Sequence, residues 1–102
     1  YQYFYQGRRP ARRDGQEATE YVFDVSADRK SSFPVSVLIL EEAAGAWERR
    51  SGRRLLLNER YAVAKMALSQ AFDERTGPPA MREDVLVRPA DLDGILESLG
   101  LD

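Results

Sequence analysis

The stretch Phe33-Pro34-Val35-Ser36-Val37-Leu38-Ile39-Leu40 is the most hydrophobic run in the chain, and it decides the fold. Its β-branched residues favour a strand. On a strand, one face carries only apolar side chains, namely Phe33, Val35, Val37 and Ile39. Both faces become apolar toward Leu40, which predicts that this end is covered on both sides. Pro34 cannot donate a ladder hydrogen bond, so it fits the first turn of a strand or a local edge.

The chain before this run predicts two further strands. Residues 1–6 have high β propensity, and alternation places Tyr1, Tyr3 and Tyr5 on one face. Residues 18–26 alternate between apolar and polar side chains, which is typical of a strand with one face on the core. Residues 27–32 then form a polar turn short enough for a hairpin.

Between these two strands we expect a loop rich in arginine. Gly7 ends the first strand, and residues 7–16 contain Pro10 and Asp14-Gly15, which are turn signals. This loop carries the first arginine group, which consists of Arg8, Arg9, Arg12 and Arg13.

Helical patterns dominate the second half of the chain. Residues 41–50 predict a helix, because Glu41-Glu42 suit the positive end of its dipole and Trp47 lies on its apolar stripe as a core residue. Ser51-Gly52 ends this helix. A second arginine group follows it and consists of Arg49, Arg50, Arg53 and Arg54. Residues 55–57 fit either a short strand or the approach to a buried helix.

The longest predicted helix covers residues 59–75, with Asn58 as its N-cap and Gly77-Pro78-Pro79 as its stop. Its apolar stripe repeats at helical spacing and comprises Tyr61, Ala64, Ala67 or Leu68, Ala71 and Phe72.

Residues 85–87 predict a short fourth strand, and Pro89 suits the first position of a last helix. The apolar stripe of that helix comprises Leu92, Ile95, Leu96 and Leu99. Gly100 is the signal for its end.

The predicted order is therefore β-β-β-α-α-β-α. Strands come first and helices mostly later, which favours an α+β fold: a small antiparallel meander with about three helices packed mainly on one face. The 102 residues fit a single domain, residues 1–102.

Composition excludes several chemistries. The chain has no cysteine and no histidine, which removes thiolate nucleophiles, Ser–His–Asp triads and zinc sites of the usual kinds. The net charge of −2 gives no global attraction for nucleic acid. No apolar run approaches the ~20 residues that span a bilayer. We expect a cytoplasmic, non-membrane protein that uses no cofactor.

Asp91-Leu92-Asp93-Gly94 is the one stretch that suggests metal or phosphoryl chemistry. A phosphotransfer motif of the Asp-x-Asp-Gly type needs the first aspartate directly at the end of a strand, whereas residues 88–90 intervene here. A calcium loop needs a twelve-residue ligand pattern that is missing. Acidic residues in the first turn of a helix explain the stretch better.

Two surface features suggest binding. The arginine groups are able to contact phosphates without sequence specificity, and neighbouring tyrosines are able to stack on unpaired bases. Alternatively, both groups lie in solvated loops or contact a protein. Tyr1, Tyr3 and Tyr5 pack either in the core or at an oligomer interface.

The sequence therefore favours a non-enzymatic protein-interaction or assembly module, with a protein partner or a second copy of the chain. Its candidate binding residues are the three tyrosines and both arginine groups. Nucleic-acid binding through the aromatic strand and the arginine-rich loops is the alternative, and catalysis by carboxylates, tyrosine or Lys65 ranks third.

Overall fold

A computed structural model describes residues 1–74 and 83–101. These residues form four strands and three helices in the order β-β-β-α-α-β-α, which confirms the predicted α+β class. The elements are β1 (Gln2–Arg13), β2 (Gln16–Ser26), β3 (Phe33–Leu40), α1 (Glu41–Ser51), α2 (Leu57–Glu74), β4 (Val85–Val87) and α3 (Pro89–Ser98). The sheet order is β1-β2-β3-β4.

Strand β3 has the predicted bounds, and its pairing explains its composition. It pairs antiparallel with β2 along its length and parallel with β4 from Val37 to Ile39. The sheet is thus mixed, although mostly antiparallel. Pro34 lies before the stretch that pairs with β4, so its missing N–H falls at a local edge, as predicted.

The predicted arginine-rich loop is wrong, because residues 7–13 continue strand β1. Gly7 does not end the strand. It follows an extra residue, Gln6, at a β-bulge, and its φ of +148° is one that glycine adopts without strain. Pro10 lies within the strand, where an edge position tolerates the missing N–H.

Only Asp14 and Gly15 form the turn between β1 and β2. Their φ values of +53° and +79° are both positive, which is the geometry of a two-residue type I′ hairpin turn. A tight hairpin of this kind extends β1 and β2 by pairing Arg13 with Gln16.

One core lies between the sheet and the helices. The helix-facing side of β2 and β3 is completely buried at Tyr21, Phe23, Val25, Val35, Val37 and Ile39. Helix α2 packs on this face, where the Phe72 ring stacks on Phe33 with centroids 6.4 Å apart. Trp47 of α1 is buried, as predicted, and so are Leu92, Ile95 and Leu96 of α3.

Helix α2 begins earlier than the sequence indicated. The carboxylate of Glu59 accepts a hydrogen bond from the backbone N–H of Leu56 at 2.9 Å, which caps the helix from its third residue. Asn58 is therefore inside the first turn and is not the N-cap. The predicted stop at Gly77-Pro78-Pro79 and the last residue of the predicted helix, Arg75, lie outside the described residues.

Helix α3 follows the prediction closely. The Asp91 carboxylate accepts a hydrogen bond from the backbone N–H of Arg88 at 3.0 Å, so this aspartate caps the helix. At the other end Gly100 has a φ of +73°, and Leu101 donates its N–H to the carbonyl of Leu96 at 2.9 Å.

Two glycine substitutions are expected to change stability in opposite directions. Gly15→Ala should lower the free energy of unfolding by about 1 kcal/mol, because the turn requires a positive φ that alanine adopts at a cost. Gly94→Ala should raise it by about 0.5–1 kcal/mol, because Gly94 lies inside α3 and nothing within 4 Å opposes an added Cβ. Urea unfolding measures both values, and a stabilising Gly15→Ala would contradict the turn geometry.

Candidate interaction surface

Strand β1 lies at an open margin of the sheet. Within the described residues it pairs with β2 and with no other strand. One side of its backbone, over twelve residues, therefore presents N–H and C=O groups without a neighbouring strand. Such a row is the structural requirement for adding a strand from another chain.

Tyr1, Tyr3 and Tyr5 share one face, as predicted. This is the helix-facing side, where each tyrosine contacts an aromatic residue of α2. Tyr1 and Tyr3 meet the edge of Phe72, with centroids 5.0 and 5.8 Å apart. Tyr5 meets Tyr61 at 5.0 Å. Tyr1 nevertheless remains 58% exposed and Tyr5 40% exposed, so the row forms the rim of the core and also reaches the surface.

Phe4 is an exposed aromatic residue that the sequence reasoning did not select. It points to the side of the sheet away from α2, opposite Asp24 of β2, and is 52% exposed. The strand alternation does place it on the opposite face from the tyrosines. Its neighbours on that face, Gln2 and Gln6, are polar, which is the sequence signal for an exposed face. Aromatic surface thus lies on both sides of the N-terminal half of β1.

The first arginine group lies along residues 8–13, the second half of β1. Most of its members contact an acidic residue. The Arg9 Nε donates to Glu20 at 2.6 Å, and Arg13 is paired with Asp84. Arg12 lies 3.7 Å from Glu17, and both of these side chains are largely exposed, so their attraction is weak. For Arg8, no ion pair is found among residues 1–74 and 83–101.

Glu20 of β2 is held by two short hydrogen bonds on the face of the hairpin opposite to the helices. Its carboxylate accepts hydrogen bonds from Arg9 and from the Ser36 hydroxyl, both at 2.6 Å. The Arg9 guanidinium, followed by Ser36, holds the pKa of Glu20 below its ordinary value. These contacts join strands β1, β2 and β3 across the face opposite to the helices.

The second arginine group is spread over two elements. Arg49 and Arg50 lie in the last turn of α1, inside the helix predicted for residues 41–50, and only Arg53 and Arg54 follow it. Arg50 donates to Asp93 of α3 at 2.6 Å. Arg53 donates two hydrogen bonds to the Glu59 carboxylate, each 2.9 Å, and its guanidinium lies 4.8 Å from the centroid of the buried Trp47 ring. No ion pair is found for Arg54 in the described part of the chain.

The ion pairs bind each arginine group to its own surroundings. The first group is attached to β2 and to the residue before β4, and the second group is attached to α2 and α3. Several guanidinium charges are thus already neutralised, which reduces the number available to phosphates. Nucleic-acid binding remains a prediction, but these contacts weigh against it.

An open groove lies beside the second half of β1. Its lining includes Arg8, Pro10, Arg12, Thr19 and Glu41. The Glu41 carboxylate accepts hydrogen bonds from the Thr19 hydroxyl at 2.6 Å and from Arg60 at 3.3 Å. The acid is thus held by neighbouring groups, and Glu17, the other carboxylate that lines the groove, lies 3.7 Å from Arg12. Burial raises the pKa of the Tyr21 hydroxyl, against the opposing charges of Arg60 and Arg8.

Two leucines between α1 and α2 are also exposed. Leu56 and Leu57 are 55% and 60% exposed, whereas Leu55 beside them is buried. The sequence predicted either a short strand or the approach to a buried helix for residues 55–57, and the structure shows no strand there. The turn into α2 sends only the first of them inward.

Two features are absent from the residues that the structure describes, a candidate metal cluster and a membrane-spanning helix. Residues 1–74 and 83–101 contain no group of three or more acidic side chains placed to hold a metal ion. No helix among them has the length and apolar character needed to cross a bilayer. Comparisons with protein families, curated proteins and solved structures find no match to this chain.

Replacing Glu20 by glutamine should make the free energy of unfolding depend less on pH in the acidic range. Because the folded pKa of Glu20 is depressed, its stabilising effect is present above about pH 5 and is lost as the pH falls through the folded pKa. Glu20→Gln should therefore be less stable than the wild type near pH 7, and the difference should shrink toward pH 3. Urea unfolding across this range measures it, with Glu97→Gln on the exposed side of α3 as control. If the two proteins differ in free energy of unfolding by the same amount at every pH, the Arg9–Glu20 ion pair is not the source of that difference.

Proposed function

We propose that this protein is a non-catalytic protein-interaction module that binds an extended segment of a partner at the free edge of β1. The observation that carries the proposal is the twelve-residue edge strand, which has exposed aromatic side chains on both faces. Main-chain hydrogen bonds from the edge would supply affinity, and the aromatic residues would supply contact area.

The two halves of β1 differ in how well they are protected against such pairing. The second half contains Pro10 and several arginines, which are the features that natural edge strands use to avoid unwanted partners. Residues 2–6 contain no charged side chain and no proline. The unprotected half is therefore the natural docking position.

The chemistry around this half describes the expected partner. Tyr1, Phe4 and Tyr5 offer aromatic surface, and Arg8, which lacks an ion pair in the described residues, follows directly along the strand. Tyrosine and arginine are the residue types that most often anchor protein interfaces. An extended segment that places apolar or arginine side chains over the aromatic half, and an aromatic or acidic residue beside Arg8, fits this surface.

Selection from a library of unstructured peptides tests this function directly. Peptides enriched on the wild-type protein should lose at least about tenfold in affinity for Phe4→Lys, because an edge lysine opposes strand addition. Leu57→Lys is the matched control, since Leu57 is 60% exposed, against 52% for Phe4, but lies at the start of α2. Affinity is measured by isothermal titration calorimetry. Failure to enrich any peptide, or equal loss in both variants, would refute the proposal.

Binding to nucleic acid is expected to be weak. A titration of single-stranded RNA and DNA at low salt should show little binding, because several arginines are already paired with acids. Tight binding that falls steeply with added salt, and that is lost in Arg8→Ala, would favour the nucleic-acid alternative instead.

A further inference from the structure

The β-bulge changes which residues of β1 share a face. Before the bulge, Tyr3 and Tyr5 lie opposite Val25 and Phe23 on the helix-facing side. After it, Arg8 lies opposite Tyr21 on that same side. The helix-facing positions are therefore 1, 3, 5, 8, 10 and 12, and the other face carries positions 2, 4, 9, 11 and 13. Odd and even positions exchange faces at Gln6-Gly7.

This exchange limits how two copies of β1 can pair around a two-fold axis. Opposed residues in an antiparallel pair must lie on the same face of the continuous sheet. Pairing the second half with itself opposes Arg8 to Arg12 of the other copy, which brings like charges together. Pairing the first half with itself opposes Tyr1 to Tyr5 and Gln2 to Phe4, and it uses only about five residues.

A third arrangement uses the whole strand. We propose that a second copy of this chain occupies the β1 edge in antiparallel orientation, with the two-fold axis at the bulge, so that the two sheets join into one. The proposal rests on the proposed function and names its partner. The opposed residues are Tyr1 with Arg12, Gln2 with Ala11, Tyr3 with Pro10, Phe4 with Arg9, Tyr5 with Arg8, and Gln6 with Gly7.

Every pair in this register lies on a common face, and the side chains are complementary. Aromatic residues of one copy meet arginines of the other on both sides of the sheet, at Tyr5–Arg8 and at Phe4–Arg9. A guanidinium over an exposed aromatic ring is attracted to it, and the two-fold axis doubles each contact. The Arg9 guanidinium keeps its bond to Glu20, which lies on β2 on the opposite side of the strand from the new partner, so Arg9 meets the partner's Phe4 through its aliphatic stem.

The register also explains the uneven composition of β1. The first half is neutral and aromatic, whereas the second half is cationic. Each half would be a poor partner for itself, but each complements the other half of a second copy. The arginines, which oppose pairing of the second half with itself, would then favour this arrangement, while Pro10 leaves one main-chain hydrogen bond unmade in each copy.

Disulfide trapping tests the register, because the chain contains no native cysteine. An equimolar mixture of Gln2→Cys and Ala11→Cys chains should form a cross-linked dimer on mild oxidation. Opposed antiparallel residues have Cα atoms about 4.5–5.5 Å apart, within disulfide range. Within one chain the two positions are about 30 Å apart, so only an intermolecular bond can form. A mixture of Gln2→Cys with Phe4→Cys should not cross-link.

Light scattering and sedimentation on the unmodified chain give the affinity. Phe4→Ala should raise the dissociation constant of the dimer by about 5- to 30-fold, from the loss of two aromatic–arginine contacts. Leu57→Ala should leave it unchanged. Cross-linking of position 2 to position 4 alone, or a chain that stays monomeric at millimolar concentration, would overturn the proposal. If the selected peptides still bind in a Phe4-dependent way, only the second copy is excluded as the partner and the proposed function remains.

Discussion

The burial of the helix-facing side of β2 and β3 is the interaction on which the rest of the structure depends. Phe23, Val37 and Ile39 are completely buried there, and Tyr61 and Phe72 of α2 contact the rings of Phe23 and Phe33. Apolar burial of this kind is the dominant favourable contribution to folding. The other strands attach to this pair by hydrogen bonding: β1 extends it on one side and β4 on the other. Helix α1 continues directly from β3, so its position follows from that strand.

This arrangement leaves β1 in an intermediate position. Its tyrosines complete the edge of the core by contacts with Phe72 and Tyr61, and this fixes the strand in place. Its arginines are tied mainly to acids across the hairpin, so their first role is structural. What remains uncommitted is the outward side of the backbone together with part of the aromatic surface. A strand that is fixed on one side and open on the other is well suited to add a partner without a change in fold.

Much of the fold could be predicted from local patterns, and the failures have specific causes. The alternation in residues 18–26 and the apolar run at 33–40 specify β2 and β3, and Pro89 with the stripe after it specifies α3. The second half of β1 was missed because Gly7 and Pro10 normally indicate turns, whereas a bulge and an edge position accommodate them. The paired arginines were not predictable either, since Asp84 and Asp93 are distant in sequence from Arg13 and Arg50. Local propensity reports neither edge position nor long-range charge pairing.

Residue-resolved hydrogen exchange by NMR, repeated over a wide range of protein concentration, is the most direct test of the open edge of β1. In the monomer, the amides of β1 that point away from β2 should exchange quickly, while those bonded to β2 stay protected. As the concentration rises, the first set should become protected and the rest of the sheet should not change. Uniform protection of β1 at every concentration would show that the edge is already covered. Fast exchange that persists at the highest concentration would show that this strand does not pair with a second copy.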